Sequence, residues 1–419
     1  MSKNLIFITA RCPFPATSGR KSVLYNYCQI LHDYYLYNIK IITFLEKDDD
    51  IGLKPYFIND VVTLKRPNKL ELMYNLLRYS LCGDWPIQTS MYYSKKNQNI
   101  VNHIIKEESP DLLITDMVRT TEYGRGYSGY KIADLDDMLS LRYERQMNLN
   151  IGDINPYGAA LYNLSSWVQT ILSRNVIKRY ILKFETEILK KYEKEVYKIY
   201  DRTIFVAKHE AEIINNAMQD VKAISVPLGV DVDYFSELYR KCNVEKDTMV
   251  FLGVYSAAHN EAAVLNFCKN ILPLIKEKKP SVKFYIVGSN PTKKIVEIQN
   301  DNIIVTGKVD DVRKVVGSKC VFVCPLTFGS GIKTKILEAM AMGVPVVTTS
   351  IGAENINAED GVEWFIADTN IIFAEKVLLL LNNERERVLI SDNAKKFVEK
   401  NFTWKVAKEQ LGKVCIGGA

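Results

Sequence analysis

The chain is predicted to fold as two doubly wound α/β domains in series, and three observations predict it. Short apolar runs of strand length alternate with helical patterns along almost the whole sequence. That alternation marks βαβ units, whose parallel sheets are covered by helices on both faces. The length of 419 residues exceeds what one hydrophobic core usually holds. One stretch, Ser225 to Asp247, breaks the alternation with Pro227-Leu-Gly229-Val-Asp231 and a polar, charged run, so the first domain is expected to end at residue 224 and the second to begin at 225.

In the first half the strands are expected at Leu5–Thr9, Ile39–Phe44, Val61–Leu64, Leu112–Thr115, Lys131–Ala133 and Thr203–Val206, with helices such as Lys21–Tyr35 and Asn97–Glu107 between them. In the second half they are expected at Met249–Gly253, Lys283–Val287, Ile303–Thr306, Val321–Cys324 and Val344–Thr348. The helices there are Glu261–Lys278, Asp311–Val316, Ile332–Met342 and Ile371–Leu381. The halves are alike in architecture, not in residues.

Composition narrows the function classes. Hydrophobic residues at 47% and charged residues at 25% exclude a disordered or fibrous chain. A formal charge of +6 over this length is too small for a nucleic-acid coat and suits anionic ligands or an anionic membrane surface. No segment reaches the ~20 apolar residues needed to cross a bilayer. The apolar run Leu5–Ile8 is too short for a signal-peptide core and reads as a first buried strand. Cysteines inside apolar runs, as in Cys320-Val-Phe-Val-Cys324, point to reduced core residues in a cytoplasmic protein. None of the four histidines pairs with cysteine at a zinc-like spacing, so no dedicated transition-metal site is expected.

One segment departs from simple alternation. Arg174 to Tyr200 has apolar residues at Ile177, Ile181, Phe184, Ile188, Tyr192, Val196 and Ile199, which form one helical stripe. Eight basic residues face four acidic ones between Arg174 and Lys198. It reads either as a surface helix packed on the first domain or as a basic amphipathic helix resting on an anionic membrane. The preceding Tyr157–Trp167 stretch, rich in aromatic and small residues, suits the second reading and a lipid-linked acceptor.

The densest local signal is Pro325-Leu-Thr-Phe-Gly329-Ser330-Gly331-Ile-Lys333-Thr-Lys335-Ile-Leu-Glu338, continuing to Gly343-Val-Pro345. A strand ends, a Gly-Ser-Gly turn follows, and a helix starts. Ser330 is expected to cap that helix, whose free N–H groups and positive dipole end favour a phosphate. Lys333 adds a full charge. Glu338, further along the helix, suits the two hydroxyls of a ribose, and Gly343 closes the helix. The plainer alternative is an ordinary strand–loop–helix joint with Lys333 and Glu338 solvated.

This stretch resembles the donor-binding signature of the family-4 retaining glycosyltransferases of the GT-B fold. Further matches occur in order: Val226-Pro-Leu-Gly229-Val-Asp231-Val-Asp233-Tyr-Phe235, Phe251-Leu-Gly253 with His259-Asn260, Ile286-Val-Gly288, Val305-Thr-Gly307-Lys308-Val309, and Phe402-Thr-Trp404. They cover Ser225–Leu411 and are weaker over the first half. The resemblance implies two Rossmann-like domains facing a cleft. The second, 225–400, would bind a nucleotide sugar, and a closing helix, 401–419, would return to the first. It implies that Gly329, Ser330, Gly331 and Lys333 hold the donor diphosphate, Glu338 the ribose, and Thr306 with Gly307, Lys308 and Val309 the base. The family's usual pair of glutamates eight residues apart is incomplete: Glu338 is the second, and Ser330 stands at the first. The usual Arg or Lys near the second domain's first strand is also absent, with Tyr255, His259 and Asn260 in that region.

In the first domain, Pro13-Phe-Pro-Ala-Thr-Ser18-Gly19-Arg20-Lys21 follows the first strand, and Gly and Ser beside two basic residues make a local anion site. By resemblance, Gly19 and Arg20 would face the donor phosphates across the cleft. The alternative is a plain turn with a solvated Arg-Lys pair. Asp116 stands where the family often has a histidine and would contact sugar or acceptor, or else act as a capping or loop carboxylate. Asp134-Leu-Asp136-Asp137 is favoured as a helix cap, then as part of an acceptor site, and least as a metal site. Asp48-Asp-Asp50 reads as a solvated loop.

The expected reaction is transfer of a sugar from a nucleotide diphosphate sugar to a saccharide or polyprenyl-linked acceptor in bacterial surface polysaccharide assembly, retaining and without a metal or other cofactor. Lys333, Ser330, Asp116 and Gly19 are the expected catalytic residues. A sugar-nucleotide epimerase or hydrolase on the same scaffold, or a non-catalytic nucleotide-sugar-binding module, are the alternatives. The expected location is cytoplasmic, peripheral to the inner face of the membrane in the second reading of the basic helix, and no nucleic-acid partner is expected.

Overall fold

The computed structural model describes residues 3–16, 19–46, 49–147, 175–237, 244–329 and 331–416. Ser330, Ser18, Asp48, Arg174 and the Tyr157–Trp167 stretch lie outside these. The chain divides into two compact units, one of Met1–Leu228 with Ala407–Ala419, the other of Gly229–Val406. The expected boundaries were 224/225 and 400/401.

Unit 1 runs β1 (Lys3–Thr9), α1 (Gly19–Tyr35), β2 (Tyr37–Phe44), β3 (Asp60–Leu64), α2 (Lys69–Asn75), α3 (Ile87–Ser90), α4 (Lys95–Glu108), β4 (Leu112–Asp116), α5 (Met117–Gly124), β5 (Lys131–Asp136), α6 (Leu139–Met147), α7 (Asn175–Ile199), β6 (Arg202–Phe205), α8 (Lys208–Met218) and β7 (Ala223–Ser225). The strands form one parallel sheet ordered β3-β2-β1-β4-β5-β6-β7. The run Leu5-Ile-Phe-Ile8 is wholly buried, as a parallel strand covered on both faces requires.

Unit 2 runs α9 (Val232–Ser236), β8 (Glu245–Leu252), α10 (Ala258–Asn266), α11 (Leu272–Lys278), β9 (Lys283–Val287), α12 (Lys293–Glu297), β10 (Ile303–Gly307), α13 (Val312–Val316), β11 (Lys319–Cys324), α14 (Thr334–Ala341), β12 (Val346–Thr348), β13 (Phe365–Ile366), α15 (Asn370–Asn382), α16 (Glu384–Asn401) and the start of α17 (Trp404–Ile416). Its parallel sheet is ordered β10-β9-β8-β11-β12-β13. The single helix expected at Glu261–Lys278 is broken by a π turn, Phe267–Ile271, just before Pro273. Proline lacks the N–H that a continuous ladder needs, and the wider turn absorbs the defect. The short strands β7 and β13 carry no sequence pattern of their own.

The basic helix α7 packs on unit 1 through Leu182, Leu189, Tyr192, Val196 and Tyr197, which meet Val118, Leu135, Leu139 and Tyr143. Its buried face is offset from the expected apolar stripe, because two carboxylates lie on it. Glu185 accepts hydrogen bonds from the Ile87 and Gln88 N–H groups, at 2.9 and 3.4 Å, and so caps α3. Glu193 accepts from the Ser140 N–H at 3.1 Å and from its hydroxyl, and caps α6. Burial pushes both carboxyls up to about 7.

That burial sets a pH dependence. Between about 4.5 and 7 the unfolded chain ionises these groups while the folded chain keeps its protons, so their contribution to stability is full below that window and is lost as pH rises through it. The Glu185→Gln/Glu193→Gln double variant, melted from pH 5 to pH 8, is expected to lose less stability over the range than wild type. The linkage is at most about 1.4 kcal/mol per pH unit for each group. Equal slopes would show that neither carboxyl is held protonated.

Candidate functional site

In an open parallel sheet the chain turns in opposite directions at one pair of neighbouring strands. The crevice outside their carboxyl ends is where ligands bind. In unit 2 that pair is β8 and β11. The loop after β8 leads into α10 and carries His259 and Asn260. The loop after β11 carries Pro325 to Lys333 and leads into α14.

The β11 loop is bent by Gly329 at φ +137° and Gly331 at φ +72°, conformations that L side chains rarely adopt. A Cβ at Gly331 would meet nothing within 4 Å, so this part of the loop borders open space. These two glycines hold the loop out of helical conformation. As a result α14 begins at Thr334 with Lys333 at the N-cap position, later than expected. Glu338 is therefore only about 6 Å along the axis from the helix start. The far end is as expected: Gly343 at φ +70° follows the last turn, and the Gly343 and Val344 N–H groups donate to the Met340 and Ala339 carbonyls, each at 3.0 Å.

Lys333 is 6% exposed. Its Nζ donates to the Gly331 carbonyl at 2.5 Å and lies 3.9 Å from the Glu354 carboxylate. Lys335 was missed as a functional residue in the sequence. It reaches from the first turn of α14 to the end of β8, where its Nζ donates to Asn260 Oδ1 and stands 4.4 Å over the Phe251 ring. Asn260 is held in turn by its Nδ2, which donates to the Val254 carbonyl at 2.9 Å. Lys335 thus places a cation in the region where the sequence shows no Arg or Lys. The signal was its spacing of two from Lys333, which a helical reading turns away from the first lysine.

His259 sits edge-on to Phe328, with centroids 6.4 Å apart. Burial, then repulsion from Lys335 and Lys333, pushes its imidazole down to about 4. Burial raises the Glu338 carboxyl, and Lys335 partly offsets that rise. Two ammonium groups therefore stand at this crevice, Lys333 beside the Glu354 carboxylate and Lys335 on Asn260. Gly307, at φ +67°, ends β10, two strands from β8. Thr306, Gly307, Lys308 and Val309 therefore lie about 10 Å along the same sheet edge.

In unit 1 the switch point falls between β1 and β4, and there the basic residues are already matched. Arg20 donates from Nε and Nη2 to Asp116 Oδ1 at 3.0 and 2.7 Å, and from Nη1 to Asp136 at 3.0 Å. Its Nη2 is also 2.7 Å from Asp134. The Ala10 N–H donates to the other Asp116 oxygen at 3.0 Å. Although burial disfavours its charge, the three carboxylates hold the Arg20 guanidinium firmly protonated. Burial pushes Asp134 up to about 6 against the pull of Arg20. Lys21 is likewise buried, paired with Asp49 and 3.3 Å from Glu46. The structure therefore gives Arg20 to Asp116, Asp134 and Asp136 rather than to solvent, and Asp49 to Lys21 rather than to a solvated loop. Gly19, the first residue of α1, is exposed.

The expected helix caps also change. Asp116 precedes α5 without a side-chain cap bond. Asp136 binds Arg20, and Asp137 pairs with Arg142. The N–H groups at the start of α6 go instead to Glu193 and to Glu210, which accepts from Met138 at 3.0 Å. Asp136 and Met117 both take left-handed backbone, at φ +66° and +57°. Among the described residues, no group of three or more His, Cys, Asp or Glu side chains is arranged to hold a metal ion.

Comparison with known proteins bears on the fold and on the second unit. Residues 246–383 match the family model described as glycosyl transferases group 1. The chain is 22% identical to an uncharacterized 44.6 kDa protein in the cps region of Klebsiella pneumoniae, over 95% of this chain and 96% of that one. It is 30% identical to the capsular polysaccharide biosynthesis glycosyltransferase CapM of Staphylococcus aureus over 33% of this chain and 38% of that one. Among solved structures, Anabaena HepE in complex with UDP and glucose superposes with a TM-score of 0.61 at 13% identity, covering 99% of this chain and 100% of that one. WaaG, a glycosyltransferase involved in lipopolysaccharide biosynthesis, does so with a TM-score of 0.61 at 13% identity, covering 98% and 99%. The second unit thus carries a match to the glycosyl transferases group 1 over residues 246–383, and over its whole length the chain has the GT-B fold.

Proposed function

We propose that this glycosyltransferase moves a sugar from a nucleotide diphosphate sugar to a hydroxyl of a saccharide or lipid-linked acceptor, with retention of configuration and without a metal, in the assembly of a surface polysaccharide. The observation that carries the donor half is the convergence of Lys333 and Lys335 on the unit 2 switch point, where burial first and the two lysines second keep His259 neutral. Similarity to CapM and to the HepE–UDP–glucose complex supports the polysaccharide context and a uridine nucleotide.

The chemical task is to let a diphosphate leave while positive charge grows on the sugar ring. Lys335, reaching from α14 to the end of β8, and Lys333, at the start of α14, neutralise the leaving diphosphate. The open Gly329–Gly331 loop lets the chain approach the phosphates closely. Fixed charges of this kind act without reorganisation at the moment of reaction. Glu338 accepts from the ribose hydroxyls, and Thr306 to Val309 flank the base. Asp116 and Asp136, fixed by Arg20, serve the acceptor side.

A second reading, a donor-binding module without turnover, is favoured by Ser330 at the position of the usual glutamate. The purified chain incubated with UDP-, GDP- and ADP-sugars and a membrane extract separates the two. Transfer of label supports the enzyme, and thermal stabilisation by a donor without transfer supports the module.

Lys335→Ala and Lys333→Ala are each expected to lower kcat/KM by about a hundredfold or more, with the melting temperature of the free protein little changed. Wild-type kinetics from Lys335→Ala would remove it from the site. His259 is expected to titrate at about 4 in the free protein and to move up when a nucleoside diphosphate binds, because the added anion offsets the two lysines. Imidazole resonances followed by NMR with and without UDP test this. An ordinary midpoint near 6.5 in the free protein would contradict the positive pocket.

A further inference from the structure

The segment between β3 and α3 is built inside out. Helix α2 continues through a π turn, Leu76–Leu81, as one helical rod. Its polar residues point inward. Asn75, 3% exposed, donates from Nδ2 to the Ser90 and Tyr93 carbonyls at 3.1 and 2.7 Å, and Ser80, 1% exposed, bonds the Ser90 hydroxyl at 2.8 Å. Its apolar residues point outward: Leu70, Met73, Tyr74, Leu77 and Leu81 are between 52% and 75% exposed. Their steps of three and four form one ridge. A monomeric surface rarely leaves such a ridge in water. Exposed Lys65 and Arg66 precede this rod, exposed Lys69 and Arg78 lie on it, and exposed Asp84 follows it.

A second ridge borders the first. On α7 the first turns leave Val176, Tyr180 and Phe184 exposed, beside exposed Arg179 and Lys183. The next residue, Glu185, bonds the Ile87 and Gln88 N–H groups, so these turns adjoin the end of the α2 segment. Among the described residues no helix is long and apolar enough to cross a membrane.

We propose that the α2 ridge, with the first turns of α7, docks unit 1 on the surface of an anionic lipid bilayer. Leucines and tyrosines enter the boundary between headgroups and acyl chains, and the surrounding lysines and arginines meet lipid phosphates. Charge complementarity selects this occupant, since exposed Lys65, Arg66, Lys69 and Arg78 outnumber exposed Asp84 along the same segment, and Arg179 and Lys183 are exposed beside the second ridge. The proposal moves the membrane contact away from the body of α7, whose buried face is taken by unit 1. It deepens the acceptor half of the proposed function, because a lipid-linked acceptor is presented at such a surface.

The test is co-sedimentation of the full chain with vesicles of phosphatidylcholine, with and without phosphatidylglycerol, at low and high salt. The wild type is expected to bind only the anionic vesicles and to be released by salt. Lys69→Glu/Arg78→Glu is expected to weaken partition by about tenfold or more, and Leu70→Ser/Leu77→Ser/Leu81→Ser to abolish it. Both variants should keep the wild-type melting temperature and UDP-dependent stabilisation, since they touch no donor residue. Absence of wild-type binding, equal binding to neutral vesicles, or full binding by the leucine variant would each overturn the proposal. So would a wild-type dimer that the leucine variant turns into a monomer, which would make the ridge a contact between copies. UDP stabilisation lost in the wild type while vesicle binding persists would instead count against the donor reading alone.

Discussion

The constraint on which unit 2 depends is the order of its parallel strands. Because β8 and β11 are neighbours whose chains depart in opposite directions, no helix can cover the edge between their carboxyl ends. Two loops meet over that gap. One supplies His259 and Asn260, the other two glycines in left-handed backbone and the start of α14. Lys335 then closes the arrangement by reaching from α14 to Asn260 and the Phe251 face. An ammonium over an aromatic ring and against an amide oxygen is fixed in position, while burial, partly offset by Cys324 and Glu338, lowers its pKa.

The same topological gap in unit 1 is used in the opposite way. There the guanidinium of Arg20 is surrounded by Asp116, Asp134 and Asp136, so the local balance is negative rather than positive. Removing Arg20 leaves the buried carboxylates uncompensated, at a cost of about 3–5 kcal/mol. The cluster therefore fixes the ends of β4 and β5 relative to α1. Asp136 is the most exposed of the three carboxylates, its side chain 24% exposed. Two units of one architecture thus carry different charged groups at equivalent places, lysines in unit 2 and a carboxylate cluster in unit 1.

Much of the fold was legible because parallel strands buried on both faces are short, wholly apolar runs. Lys283–Val287 was legible to the residue, and most of the other expected strands lie within strands of the structure. What escaped had weak local signals. Ala223–Ser225 and Phe365–Ile366 are too short to show a period. The π turn before Pro273 trades one helical register for another without changing the apolar pattern. In α7 the stripe residues Ile188, Tyr192 and Val196 are buried, but Glu185 and Glu193 share the buried face, where they cap helices that lie 98 and 53 residues away in sequence.

By itself the sequence determined the two α/β units, the glycine-bent loop ahead of α14, and Lys333 with Glu338 as candidates for a nucleotide sugar. These follow from local patterns of glycine, charge and apolar run length. The tertiary structure alone decided which charges remain available. It matched Arg20 and Lys21 to carboxylates that come from other strands and loops, brought Lys335 to the strand end that lacked a cation, and turned the leucines of α2 outward. A charge or an apolar face acquires its role from whatever long-range packing sets against it, and no local pattern carries that information.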